Sequence, residues 1–162
     1  MKPVRRRAWA PVGARPVALG HHRFQWLHVA AFVQPSSGET VWYLCTRVSK
    51  PVFELLLAAF ARESGAGRQR HIVLVLDNAG WHGPKGLAVP DGITLVFLPP
   101  YSPELQPAER LWPLLDEAVA NRHFATLADL DAALAERCTR LDPSTVRPHT
   151  SFHWWPKPVQ PN

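Results

Sequence analysis

Between Met1 and Leu76 the chain contains no aspartate; its acids in that half are Glu39, Glu54 and Glu63 alone. Cysteine is nearly as scarce. Cys45 and Cys138 offer neither metal-ligand spacing nor a disulfide framework, which points to a reduced, cytoplasmic protein. No His/Cys pair has zinc spacing either; His21 and His22 are adjacent and turn-like. No segment approaches the ~20 apolar residues that span a bilayer. Pro11 and Pro16 interrupt the basic amino end, so it lacks the apolar run of a signal peptide. There is no internal repeat. These absences exclude a disulfide-stapled module, a zinc finger and a membrane-spanning helix.

The 162 residues suffice for one domain with a real core, and 46% hydrophobic against 19% charged residues is globular composition. Lys and Arg number 18 against 13 acids, with a sequence pI near 9.8, a balance that favours a polyanionic partner. Lys2, Arg5, Arg6, Arg7 and Arg15 concentrate that charge at the amino end. They are candidates for phosphate contact, or a solvated terminus.

Hydrophobic patterning orders the chain. Residues 24–33 and 40–45 read as a hairpin around the turn residues 35–39, PSSGE. A helix is predicted over 51–63, with Pro51 at its start. HIVLVLD (71–77) and ITLVFL (93–98) are continuous apolar runs, which predicts central strands buried on both faces of a mixed or parallel sheet. After the proline-rich loop 98–107, a helix should run from Pro107 toward Arg122, kinked or restarted at Pro113. A last helix is expected over about 127–141, with Thr126 and Asp129 as a capping box. The aromatic tail SFHWWPKP should pack somewhere on the domain. This order makes an α/β layered fold.

Two acids stand at the ends of these elements. Asp77 closes a buried strand, where open α/β sheets place their sites. Glu109, thirty-two residues on, follows the next strand. Parallel strands would bring both to one sheet edge, where paired carboxylates suit Mg²⁺ or Mn²⁺ and phosphoryl-transfer chemistry. The stiff loop would then fix a metal ligand. The alternative is that Asp77 caps the following turn and Glu109 complements a helix dipole; spacing alone does not separate the two.

The wording LDNAGWH followed by LVFLPPYSPELQPAERLW resembles the catalytic core of DDE transposases of the mariner superfamily, bacterial insertion-sequence type. The resemblance is specific over 76–112 and extends more loosely over most of the chain, including RRRAWAPVGARP. It implies an RNase H-like fold over one domain, 1–162, with Asp77 and Glu109 as the second and third acids of a metal-binding triad. It also implies Asn78 and His82 as neighbours of the site, two Mg²⁺ or Mn²⁺ ions, and DNA as partner, at transposon ends and target. The expected place is the cytoplasm, at the bacterial nucleoid. Leu111 and Trp112 read as core anchors, Tyr101 and Ser102 as loop-shaping residues.

Two departures stand out. Gln106 replaces the family's usual Asn and is poorer at closing a tight side-chain-to-backbone turn. The family's first acid lies on a first strand upstream of RRRAWAPVG, and neither that strand nor a helix-turn-helix region is found in this sequence. The expectation is therefore an amino-terminally truncated catalytic domain with weak or no cleavage of its own and an exposed sheet edge. Such an edge favours pairing with another copy or with the missing portion. The alternatives are a catalytically dead remnant that binds DNA or a partner chain, and a different RNase H-like nuclease acting on RNA or junctions. Sequencing the coding DNA upstream of Met1 separates these: an in-frame or one-base-shifted strand ending in aspartate, behind a helix-turn-helix, would mean a truncated view of an active transposase, and a stop codon or unrelated sequence would mark a relic.

Overall fold

A computed structural model describes residues 4, 6–14, 25–80 and 86–153. The hairpin forms as patterned. β1 (His28–Val33) and β2 (Thr40–Cys45) pair antiparallel, in register from His28↔Cys45 to Val33↔Thr40. The turn closes by Gln34 N–H to the Glu39 carbonyl (2.9 Å) and Gly38 N–H to the Gln34 carbonyl (2.8 Å). Gly38 is required here twice over. Its φ is +83°, and a Cβ would collide with the Pro143 carbonyl and the Arg147 backbone.

Helix α1 (Lys50–Ser64) starts at Pro51 and stops at Gly65, whose left-handed φ of +69° lets Ala66 N–H reach the Ala61 carbonyl (2.8 Å). Phe53, Leu57, Phe60 and Ala61, at helical spacing, form its buried face. β3 (Ile72–Leu76) and β4 (Ile93–Phe97) pair parallel, from Ile72↔Ile93 to Leu76↔Phe97. Among the described residues the strands form two separate two-stranded sheets, β1–β2 and β3–β4, rather than one continuous sheet.

The expectation that β3 and β4 are buried on both faces does not hold. Ile72, Leu74, Leu76, Ile93, Leu95 and Phe97 face α1, but Val73 is 60% and Val96 44% exposed on the opposite face. Among the described residues one helix layer covers this sheet, on one side. The hairpin is covered on both. Phe32, Val41 and Tyr43 meet α1, while Val29, Ala31, Val33, Trp42 and Leu44 meet the carboxyl-terminal helices, as strand alternation requires.

Those helices also differ from the sequence expectation. The helix from Pro107 toward Arg122 is instead a 3-10 helix, Pro107–Leu111, followed by a short α2 (Trp112–Asp116). Pro113 falls in the first turn of α2, where no backbone donor is needed, so the helix restarts there. Helix α3 (Leu127–Arg140) carries the expected capping box: Asp129 N–H donates to Thr126 Oγ1 (3.1 Å) and Thr126 N–H to Asp129 Oδ2 (2.9 Å). Arg137 ties α3 to α2 through the Leu114 carbonyl (2.9 Å) and Glu117 (2.5 Å). A further helix, α4 (Pro143–Thr150), starts at Asp142, whose carboxylate accepts from Thr145 N–H (2.8 Å); it buries Val146 and Thr150. Only the first three residues of the aromatic tail are described; Arg110 lies over the Phe152 ring at 5.6 Å, and Trp154 and Trp155 lie outside the described residues.

Phe32 of the hairpin stacks on Phe60 of α1 (centroids 4.2 Å, interplanar 8°), and Tyr43 packs edge-on against Phe32 at 6.0 Å. The Tyr43 hydroxyl is enclosed without a hydrogen-bond partner within bonding geometry. Burial first, then the neighbouring Glu63, push its pKa from 10.0 up to about 12. The folded state thus favours the neutral phenol, a contribution fully present below pH 10.0 and lost as pH rises toward about 12. Tyr43→Phe should leave stability at neutral pH within about 1 kcal/mol, since an unpaired hydroxyl is removed. It should also flatten the alkaline limb of the unfolding curve between those two pH values. Urea titrations across that range check this, and an unchanged alkaline limb would refute it.

Candidate active site

The parallel register of β3 and β4 ends both strands at the same level, which sets Asp77 at the sheet's carboxyl edge. Asn78 secures that edge: its Nδ2 donates to the Leu98 carbonyl at 2.5 Å, just beyond β4, and Leu98 N–H donates to the Leu76 carbonyl (2.8 Å). Asp77 Oδ1 accepts from Ala79 N–H (3.1 Å), so the carboxylate does shape the following turn. It also lines a cavity of about 1040 Å³. Capping and pointing into the cavity are compatible, because one oxygen engages the turn at the rim.

Glu109 reaches the same cavity from a different direction. The loop before it is stiff in fact as well as in composition. Tyr101 holds a left-handed φ of +59°, uncommon for an aromatic residue, with its side chain fully exposed. A 3-10 turn, Pro103–Leu105, follows, closed by Leu105 N–H to Ser102 (3.1 Å) and Gln106 N–H to Pro103 (3.0 Å). Pro107 and Leu111 are buried and Ala108 packs on the Leu111–Leu114–Leu141–Val146 cluster, which anchors the helix on both sides of Glu109. Glu109 is half-buried, and its carboxylate makes no hydrogen bond or ion pair with a described residue.

The 3-10 geometry has a consequence that the sequence reading missed. Gln106, Pro107, Ala108, Glu109 and Trp112 all line the cavity, so the start of the 3-10 helix as well as Glu109 borders it. Leu111 is the fully buried anchor; Trp112 is only half-buried and belongs to the cavity wall as much as to the core. Proline at 107 and at 113, bracketing the run, is the signal that could have indicated this. Gln106 makes no side-chain cap bond to the helix it precedes.

The other expected site residues lie elsewhere or are not described. His82, Arg5 and Arg15 fall outside the described residues. Arg6 and Arg7 are exposed and do not line the cavity. The segment around Arg6 is fixed by Asn121, itself at φ +55°. Asn121 N–H donates to the Val4 carbonyl (2.9 Å), its Oδ1 accepts from Arg6 N–H (2.9 Å), and its Nδ2 donates to the Arg6 carbonyl (3.0 Å). The Arg6 guanidinium also reaches the Pro113 carbonyl at 3.3 Å.

A family model described as DDE superfamily endonuclease matches residues 1–131. A protein of Sinorhizobium fredii (strain NBRC 101917 / NGR234), called Uncharacterized protein y4pE/y4sA, is 38% identical over 106 residues, or 65% of this chain and 77% of that protein. Among solved structures, the crystal structure of the Mos1 strand transfer complex superposes with a TM-score of 0.67 at 17% identity, over 92% of this chain and 46% of that chain. The fold is thus the α/β, RNase H-like class. This chain spans about half the length of the Mos1 chain it matches.

Asn78→Ala should detach the end of β3 from the end of β4 and cost about 1 kcal/mol. Hydrogen exchange should quicken at Leu98 and Ala79 first. Protection unchanged at both amides would show that the Asn78 bond is not what holds this edge.

Proposed function

The chain belongs to the DDE superfamily endonuclease family, and from that membership we propose that it serves DNA transposition of the mariner type, by metal-dependent cutting and joining of DNA strands. One observation carries the reading: two carboxylates on independent elements, Asp77 at the end of β3 and Glu109 on the 3-10 helix, line a single cavity. Among the described residues no three His, Cys, Asp or Glu side chains gather around a common point. Glu39 and Glu63 line the same cavity, but Asp77 and Glu109 are the pair that the sequence motif marks, and two carboxylates with open positions would suit Mg²⁺ or Mn²⁺ completed by water and phosphate oxygens better than Zn²⁺. When bound, such ions activate an attacking oxygen and stabilise the leaving one.

The residues' own roles follow. Asp77 and Glu109 would hold the cation. Asn78 keeps the strand end in place, and Pro107 with Leu111 fixes the height of Glu109. Gln106 and Trp112 border the space a phosphodiester would enter. Arg6 and Arg7 are the proposed phosphate contacts outside the cavity, with Arg5, Arg15 and His82 as further candidates from the sequence. The strand-transfer activity named for the Mos1 complex supports the second step, attack of a freed 3′-hydroxyl on target DNA.

A second reading, DNA binding without catalysis, is favoured by the same two-carboxylate donor set. Titration with Mn²⁺ followed by electron paramagnetic resonance separates them. Asp77→Asn and Glu109→Gln should each weaken Mn²⁺ binding about tenfold, or ~1.4 kcal/mol. The double variant should lose less than the sum of the two, since both serve one site. Unchanged Mn²⁺ affinity in both single variants would end the metal reading. Salt-sensitive DNA binding indifferent to Asp77→Asn, without nicking in Mn²⁺, would leave the second.

A further inference from the structure

Tyr101 stands on the loop that joins the element ending beside Asp77 to the element carrying Glu109, and its side chain is in water, at 101% relative exposure. It makes no hydrogen bond or ring contact with a described residue, so the ring does not shape the loop it sits on. An exposed apolar side chain means little by itself. Here it coincides with a backbone φ of +59°, a region that glycine and asparagine enter cheaply and an aromatic residue seldom adopts. Ring and backbone are both held at a cost that no packing within the chain offsets.

The support under the ring is stiff. Pro99 and Pro100 precede Tyr101 and Pro103 follows it. The Ser102 hydroxyl donates to the Pro100 carbonyl (3.4 Å), and the Leu105 and Gln106 N–H groups close the next turn on Ser102 and Pro103. The loop leaves the sheet at Leu98, which is bonded to Leu76 and Asn78 on either side of Asp77, and it joins the cavity wall at Gln106. Three residues reach at most about 11 Å and neighbouring strands lie about 5 Å apart, so the Tyr101 backbone is within roughly 16 Å of that of Asp77. At about 3.4 Å per nucleotide along a strand, that is no more than about five nucleotides. Tyr101 is not itself part of the cavity lining; it stands outside, on the approach to it.

Resting on the DNA reading of the site for the class of its ligand, we propose that Tyr101 is a positioning residue for the substrate strand. Its ring takes the face of one unpaired base, a few nucleotides from the phosphodiester at Asp77 and Glu109. Every base has a π-face, so such stacking is indifferent to sequence. A paired and stacked duplex offers its edges and its backbone but not its base faces, so the ring favours DNA whose bases are free: bulged, melted or single-stranded. The proline-bracketed turn suits this task. Only the two side-chain torsions of a tyrosine need ordering on contact, and no loop has to be frozen. The chain's net charge of +5 attracts the phosphates without regard to base pairing; the ring adds a contribution that distinguishes paired from unpaired bases and that salt does not screen. A second copy of the chain is the other partner a lone exposed ring could serve, and self-association tests for it.

The probe is a fluorescent hairpin DNA with one unpaired nucleotide in its stem, beside the same hairpin fully paired, each titrated with the 162-residue chain without added metal so that no strand is cut. The chain should prefer the bulged hairpin, whichever base is unpaired. Tyr101→Asn keeps a residue suited to the left-handed backbone and removes the ring; it should weaken binding of the bulged hairpin about tenfold and leave the paired one unchanged. Tyr101→Phe should restore the preference, whereas Tyr101→Leu, apolar without a π-face, should behave as Tyr101→Asn does. The slope of log affinity against log salt should be the same in all four proteins, because no phosphate contact is lost. No loss in Tyr101→Asn, an equal loss on both hairpins, or a changed salt slope would each overturn the stacking role. If Mn²⁺ binding still depends on Asp77 and Glu109 in that case, the metal site stands without it; Mn²⁺ binding indifferent to both acids, with the bulge preference intact, would strike the metal reading alone. A chain that binds neither hairpin overturns the proposal together with the DNA reading. Self-association of the chain that Tyr101→Asn abolishes would assign the ring to a second copy and overturn it as well.

Discussion

The stacking of Phe60 on Phe32 carries an unusual share of this fold, because no backbone ladder links the two half-sheets among the described residues. Helix α1 is the joint. Phe32 comes from the hairpin, Leu76 and Ile93 from the parallel pair, and all three converge on Phe53, Leu57, Phe60 and Ala61. Hydrogen bonds between strands set register; here apolar contact alone sets how the sheets stand to each other. Each large side chain in such a cluster contributes about 1.5–3 kcal/mol by leaving water, and dispersion is not directional. The relative placement of β1 and β3, and with it the width of the space between them, depends on the shapes of three phenylalanines and one leucine.

The two carboxylates inherit their positions from different parts of that arrangement. Asp77 is carried by β3 and its pairing with β4. Glu109 is carried by a 3-10 helix that packs on β1 and α4 through Pro107, Ala108 and Leu111. Neither element touches the other through a backbone bond. Their meeting at one cavity is a property of the assembled core rather than of either local structure, which is why a rigid, proline-dense approach to Glu109 makes physical sense.

Much of this was readable from local chemistry. The hairpin strands, the bounds of α1 and the Thr126–Asp129 box follow from turn residues, helical spacing and a capping pair that act within a few residues. Asp77 was legible because a five-residue apolar run must end somewhere, and an aspartate ended it. What was not legible depends on neighbours. The runs 71–77 and 93–98 read as doubly buried, yet nothing covers the Val73–Val96 face among the described residues. Continuous apolarity cannot tell a covered face from one awaiting cover. Helix α4 was not expected from the sequence; Pro143 starts it, and Val146 and Thr150 are buried only through a core assembled from distant segments. The 3-10 turn over Pro107–Leu111 was not legible because a regular α-helix was read where closely spaced prolines leave only a short, tighter helix.

Helix α4 also changes the standing of the turn at 34–39. A Pro-Ser-Ser-Gly tip ordinarily marks a place where a chain tolerates lengthening, since hairpin ends face solvent and loop closure grows costlier only slowly with length. Here Gly38 lies so close to Pro143 and Arg147 that not even a methyl group fits. The tip is a junction between the first hairpin and the last described helix. Relatives of this chain should vary in length elsewhere, and an affinity tag or fluorophore threaded through this turn would pry off the carboxyl-terminal helix that backs the hairpin.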